Sequence, residues 1–324
     1  MLPVLQILFI TFPFFALVLC GYLAARRRML PLEAIPGLNS FVLFFALPCM
    51  LYRFGASTPL AQLLDGTVFF TWLLCALLMV GLAVAISLNQ RIRWNDASFG
   101  ALVAAFPNTG FMGVPLLVAL LGAQAAGPII VTIVVDMVIT TSLCIALSRL
   151  DGAGEHGFAH AARNALKGVL YNPMPWAILL GGVASATSLA LPAPVMKTVG
   201  LMADAASPVA LFTIGAVLAR SQMLASAHPH APLALRDFMP VAALKLLLHP
   251  LLVLLVGTLA IQLGVVLRPF TLTVLVLVAA LPSASNVSLL AERFGADNGR
   301  IARIILLTTA AAFLTFSLAV SLLT

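Results

Sequence analysis

Apolar residues run along the chain in blocks of about twenty, separated by short polar or glycine- and proline-marked breaks. The blocks fall at residues 4–25, 34–54, 66–88, 97–121, 125–148, 168–190, 195–219, 239–263, 269–291 and 299–322. A helix rises about 1.5 Å per residue, so roughly 20 apolar residues cross a hydrocarbon layer about 30 Å thick. Barrel strands would be about half that length and would alternate strictly. The pattern predicts an all-α polytopic membrane protein with about ten transmembrane helices. The basic cluster Arg26, Arg27 and Arg28 follows the first block instead of preceding it, which predicts a first span and no cleaved signal. Only a few residues around Gly122 and Ala123 separate the fourth and fifth blocks, which predicts a tight hairpin there.

Composition agrees with the pattern: 62% of the 324 residues are hydrophobic and 8% charged, with a mean hydropathy of +1.14. A soluble domain carries about 25% charged residues. The net charge of +7 takes its meaning from where the cations fall. The odd-numbered loops hold Arg26, Arg27, Arg28, Arg91, Arg93, Arg149, Arg163, Lys167, Arg220, Arg236, Arg293, Arg300 and Arg303, whereas the even loops hold only Arg53, Lys197 and Arg268. The positive-inside rule then puts the odd loops in the cytoplasm and both termini outside. Nucleic acid is not an expected partner, because no soluble region gathers these cations into a patch.

The longest polar loop, from Arg149 to Lys167, divides the chain after the fifth block. The expected organisation is a first five-helix repeat over 1–149, a cytoplasmic linker over 150–167 and a second five-helix repeat over 168–324. An odd number of spans per half makes the second half enter from the opposite side, so the halves would form an inverted repeat. FPNTGFMGVP at 106–115, in span four, has a counterpart in span nine, LPSASNVSLL at 281–290. Pro107, Gly110, Gly113 and Pro115 should interrupt span four, since proline removes a helix hydrogen bond and glycine loosens the backbone. Backbone freed inside a bilayer is tolerated only against protein or a watery cavity. The candidate substrate-binding residues are therefore Pro107, Asn108, Thr109, Gly110 and Pro115 with Pro282, Ser283, Ser285 and Asn286. Half-helix N-termini and asparagine amides there suit an anion. The plainer alternative is a proline kink with asparagine as interhelical glue.

Three ionisable residues fall inside apolar blocks: Asp136, Asp204 and Lys245. Charge at membrane depth is costly, which makes Asp136 and Lys245 candidates for coupling or counter-charge; Asp204 is placed nearer a helix end, as structural. Lys245 suits a carboxylate partner or the place of a coupling cation, and Asp136 suits a proton carrier. The alternatives are an Asp136–Lys245 pair that only neutralises itself and a Lys245 that snorkels to an interface. His249 beside Pro250 reads as a hydrogen-bonded packing residue, with a proton relay as the alternative, and His228 and His230 as loop residues. Cys20, Cys49, Cys75 and Cys144 show no CxxC spacing and are expected as reduced packing thiols. No HExxH, GxSxG or P-loop is present, so neither an intramembrane enzyme nor a nucleotide-driven pump finds its parts. No cofactor and no metal are expected.

GLNSFVLFFALPCML at 37–51, FPNTGFMGVPLL at 106–117, LMADAASPVALFTIGAVLA at 201–219 and ALPSASNVSLLAERFGAD at 280–297 resemble the auxin efflux carrier family over most of the chain. That family includes plant auxin exporters and bacterial carriers described as transporters of malonate, malate and related anions, within the bile acid, auxin and arsenite transporter superfamily. The resemblance implies ten helices in two inverted repeats, with unwound crossovers in spans four and nine forming the substrate site. It also implies a scaffold of spans 1, 2, 6 and 7, against which spans 3–5 and 8–10 move as an elevator. Asn108 and Pro115 match the first crossover by position, and Pro282 and Asn286 the second. Plant exporters carry a further crossover proline where this chain has Val287, and many have a long central loop that is short here. The expected function is thus a secondary carrier of small organic anions, malonate- or malate-like carboxylates or auxin-like acids, in a bacterial inner membrane. Its partners would be the carboxylate substrate and the lipid bilayer, and a homodimer is one assembly it could adopt. Alternatives are a sodium-coupled bile-acid-type symporter and a membrane-embedded anion receptor.

Overall fold

The computed structural model describes residues 4–150, 173–227 and 235–324. These form twelve principal helical segments: α1 Val4–Arg26, α2 Leu32–Ser57, α3 Gly66–Ser87, α4 Trp94–Ala105, α5 Thr109–Leu121 and α6 Ala123–Leu147. They continue with α7 Pro173–Thr187, α8 Ala193–Ala227, α9 Leu235–Gln262, α10 Pro269–Ala280, α11 Asn286–Arg293 and α12 Asn298–Leu323. No strand forms among the described residues, and a single isolated bridge joins Pro107 and Ser283. Asp65 starts α3 by accepting the Thr67 and Val68 N–H groups at 2.9 and 3.1 Å, and Asp297 starts α12 by accepting that of Arg300 at 2.9 Å. The hairpin between α5 and α6 turns at Gly122, whose φ of 87° suits a residue without a Cβ.

Among the described residues, seven helices are long and apolar enough to cross a membrane: α1, α2, α3 with the turn before it, α6, α8, α9 and α12. The apolar blocks at 97–121 and 269–291 are broken, which leaves α5 and α10 as shorter apolar helices. The block at 168–190 lies partly outside the described residues. His228, His230, Arg163 and Lys167 lie wholly outside them. Asp204 differs from expectation: it sits within α8, exposed, and pairs with Arg53 of α2 at 2.7 Å. Exposed Phe9, Phe12, Phe70, Leu251, Leu255, Leu314 and Leu318 give the helices outward apolar faces, which hydrocarbon solvates as well as a protein core would.

Helices α1, α2, α7 and α8 pack on one another, α1 against α8 and α2 against both α7 and α8. Small residues let these backbones meet. A Cβ at Gly21 would collide with the Phe212 carbonyl, and one at Gly215 with that of Val18. A Cβ at Gly181 would sit 2.6 Å from the Tyr52 carbonyl oxygen. With no water to expel between helices in lipid, close van der Waals approach is the main source of such pairing. The other helices form a second set: α3 packs on α4 and α9, α9 on α10 and α12, and α4 on α6. Helix α12 also touches α1 and α8.

Described residues at four of the cation-rich loops meet one another. Arg91 lies 4.0 Å from Asp237, the Asp297 N–H donates to Asp96 at 2.7 Å, and Arg149 stands 5.2 Å over the Phe294 ring. Connections from the even loops meet one another separately: Ser185 donates to the Thr58 carbonyl at 2.8 Å, and Gly127 lies against Gln62 and Thr58.

Replacing Gly215 by Ala forces the α1 and α8 backbones apart and should cost about 1–3 kcal/mol. Thermal unfolding in detergent should show this as a lowered midpoint. Gly81→Ala, where nothing lies within 4 Å, should be neutral or slightly stabilising, because alanine is the better helix former.

Candidate functional site

The chain leaves helical geometry twice at the same place. Helix α4 ends at Ala105, and Phe106 is extended, with φ and ψ of −97° and 103°. Asn108 follows at −76° and 54° before a π turn, Thr109–Gly113, opens α5. Helix α10 ends at Ala280, Leu281 is extended at −62° and 154°, and α11 begins at Asn286. The two interruptions run antiparallel and satisfy each other: the Asn108 N–H donates to the Pro282 carbonyl at 2.8 Å, and the Ala284 N–H to that of Phe106 at 3.0 Å. Pro107 and Pro282 cannot donate to a helix ladder, so each forces the exit that the other strand completes. Around this pair, Asn108 accepts from Met112 and Gly113 at 3.1 and 3.0 Å, and Ser283 N–H donates to Thr308 of α12 at 3.3 Å. Gly113 leaves room for Leu281, whose Cδ1 would lie 2.6 Å from a Cβ there.

Three side-chain oxygens at the paired breaks are buried yet unpartnered. Asn108 is 2% exposed and Ser283 fully buried; Asn108 Oδ1, Ser283 Oγ and Asn286 Oδ1 have no hydrogen-bond partner. A buried polar atom left unpaired costs about 1–3 kcal/mol. Three in one place are a standing cost that a ligand can offset. Turning either amide presents its NH2 where its oxygen stood, so both asparagines can serve a carboxylate as donors. No cation lies within either paired segment, 106–109 or 281–286. Thr109, Gly110, Ser285 and Asn286 lie at or beside the pairing, whereas Pro115 stands beyond the π turn in the first turn of the α-helical part of α5. The second break forms without a proline at Val287, which is fully buried; Pro282 and the cross-pairing suffice.

Asp136 and Lys245 lie in another buried cluster, each inside a π turn, Val135–Thr140 of α6 and Leu244–Leu248 of α9. Both are fully buried, so Lys245 does not snorkel. Asp136 Oδ1 accepts from Trp72 Nε1 at 3.1 Å and Thr140 Oγ1 at 3.2 Å. Lys245 Nζ donates to the Ala279 carbonyl at 2.8 Å and meets His249 Nδ1 at 3.0 Å. Asp136 and Lys245 feel each other's charge but make no ion pair within 4.0 Å. His249 is thus a buried, hydrogen-bonded residue of this cluster. Trp72 and Thr140 carried no chemical signal in the sequence, because ordinary apolar-helix residues gain a role here only through the neighbour they meet.

Arg300 was placed among the loop cations, yet it is 2% exposed. It donates through Nε to the Asp237 carbonyl at 2.6 Å, through one terminal nitrogen to that of Asp96 at 2.8 Å, and through the other to Ser87 Oγ at 3.3 Å. It ties the ends of α3, α4, α9 and α12 together. Its position three residues after the capping Asp297 was the only local signal. The four cysteines are free, Cys75 and Cys144 buried.

A bundle of apolar helices with two broken segments paired around unsatisfied amides is the build of a polytopic membrane protein, and broken helices of this kind recur in transporters. Comparison with known proteins gives the particular family. A model described as "Membrane transport protein" matches residues 3–320, and the chain belongs to that family, the auxin efflux carriers. It is 29% identical over 298 residues, 92% of this chain and 89% of the relative, to a protein of Rhizobium meliloti (strain 1021) named "Putative malonate transporter". It is 28% identical over 296 residues, 87% of this chain and 86% of the relative, to the uncharacterized transporter YfdV of Escherichia coli (strain K12). An uncharacterized transporter of Methanothermobacter thermautotrophicus is 25% identical over 295 residues, 90% of each chain.

Arg300→Gln should lower stability by about 2–4 kcal/mol, because the shorter amide cannot reach three acceptors and leaves buried carbonyls unpaired. Thermal unfolding of the purified variant checks this.

Proposed function

We propose that the protein is a secondary carrier of small organic anions, malonate-like dicarboxylates first among them, and that the paired breaks hold the carboxylate. The observation that carries this reading is the set of three buried, unpartnered polar atoms, on Asn108, Ser283 and Asn286, gathered where two half-helices begin. A carboxylate accepts hydrogen bonds from amides and hydroxyls and is favoured at the positive ends of helix dipoles. A site without a fixed cation holds an anion loosely enough to release it. Malonate enters as the first candidate through the name of the Rhizobium relative.

The architecture that serves this function is ten spans in two inverted repeats, with α4–α5 and α10–α11 as broken spans four and nine. The tight small-residue packing of α1, α2, α7 and α8 supports a scaffold against which the remaining helices slide as an elevator. The cation-rich loops face the cytoplasm, leaving both termini outside. Sliding the paired breaks as one unit keeps their backbone hydrogen bonds intact throughout the cycle.

Counterflow of labelled malonate into proteoliposomes tests the site. Asn108→Ala and Asn286→Ala should each lower the rate about tenfold or more, since a hydrogen bond to a charged ligand is worth about 1.5–3 kcal/mol. Their thermal stability in the absence of substrate should change little, because each removes an atom that already lacks a partner. Undiminished counterflow in both variants would remove the paired breaks from the binding site.

A further inference from the structure

The paired breaks leave one further backbone group to account for. In an unbroken helix the Ala279 carbonyl would accept from the N–H of residue 283, but Ser283 turns its N–H to Thr308 Oγ1. The last carbonyls of a half-helix form the negative end of its dipole, and in carriers with broken helices such ends are where coupling cations are held. Here the carbonyl is taken by Lys245 Nζ at 2.8 Å. The ammonium reaches it from α9, out of a π turn, and such turns in α-helices are frequent at functional sites.

The rest of the cluster completes the picture. An ammonium has no lone pair, so Lys245 donates to His249 Nδ1, and His249 then carries its hydrogen on Nε2. That Nε2 has no partner, and neither has Asp136 Oδ2, although both side chains are fully buried. The ring of Trp72, which holds the other Asp136 oxygen, lies 5.4 Å from the His249 ring. One free acceptor and one free donor thus lie in a cluster two residues before the second break. The charged and titratable groups acting on Asp136 are Lys245 from α9 and Cys144 on its own helix; those acting on Lys245 are Asp136 and His249. Trp72 from α3 and Ala279 from α10 contribute only neutral dipoles.

We propose that this cluster is the ion-coupling site of the carrier: Lys245 is a tethered cation in the place of a metal ion, and Asp136 takes up and releases the proton that travels with the substrate. The inference rests on the carrier function proposed above. Protonating Asp136 removes a buried negative charge from the cluster behind the second break, and its release on the other side restores the carboxylate that Lys245 offsets. The cycle then runs without sodium, one proton moving in the same direction as each anion.

Malonate flux into proteoliposomes tests this on the full chain, with potassium equal on both sides and valinomycin holding the potential at zero. Wild-type counterflow should change less than about twofold when choline replaces sodium. A gradient of one pH unit, acid outside, should drive about tenfold accumulation for one coupled proton. Asp136→Asn should keep counterflow while its accumulation ratio falls to about one, and Asp136→Glu should restore the ratio. Accumulation driven by a sodium gradient, a wild-type ratio of one under the pH gradient, or an unchanged ratio in Asp136→Asn would each overturn the proposal. The wild-type arms decide whether the coupled ion is a proton, and the Asp136→Asn and Asp136→Glu variants decide whether this cluster carries it. Absence of any wild-type counterflow would overturn the carrier function and this site with it.

Discussion

Backbone groups released inside a membrane must be paired, and the structure is arranged around that demand. Each unpaired N–H or C=O in hydrocarbon costs several kcal/mol, so a single broken helix would be a serious defect. Two breaks side by side remove most of it. Asn108 N–H donates to Pro282, and Ala284 N–H to Phe106; Ser283 N–H donates to Thr308, and Lys245 donates to the Ala279 carbonyl. What remains unpaired is mostly side-chain oxygen, on Asn108, Ser283 and Asn286. That remainder is what the proposed carboxylate site would use.

The same arrangement separates recognition from charge. The paired segments carry no ionised side chain, while the buried charges stand behind them in π turns of α6 and α9. In the proposed carrier an anion at the breaks would be met by dipoles, whose attraction is weaker than that of a bare cation and compatible with release. Lys245 acts on the same region through one carbonyl of α10. Four close-packed helices joined through Gly21, Gly55, Gly181 and Gly215 give this assembly something firm to lean against.

Much of this was legible in the residues. Proline, glycine and asparagine at 106–115 and 281–290 marked both breaks, because inside an apolar helix each of these types is costly unless the geometry uses it. The loop arginines marked the two ends, and the structure brings Arg91, Arg149 and Asp297 into contacts at one of them. What could not be read were partnerships between distant helices. Trp72 looks like any apolar-span aromatic until it meets Asp136, and Arg300 looks like a loop cation until three acceptors from α3, α4 and α9 surround it. Asp204, set aside as a helix-end residue, lies within α8, where it pairs with Arg53 of α2. Pairwise contacts of this kind depend on packing, which local pattern does not encode.

The central claim is that the paired breaks bind a carboxylate through Asn108 and Asn286. A ligand that binds only the folded state raises stability by RT ln(1 + [L]/Kd), about 2.7 kcal/mol at a hundred times Kd. Thermal unfolding of the purified protein against a graded series of malonate concentrations is the most direct measurement. The account predicts a midpoint that climbs with malonate in the wild type and stays flat in the Asn108→Ala, Asn286→Ala double variant. An equal climb in both proteins would contradict it.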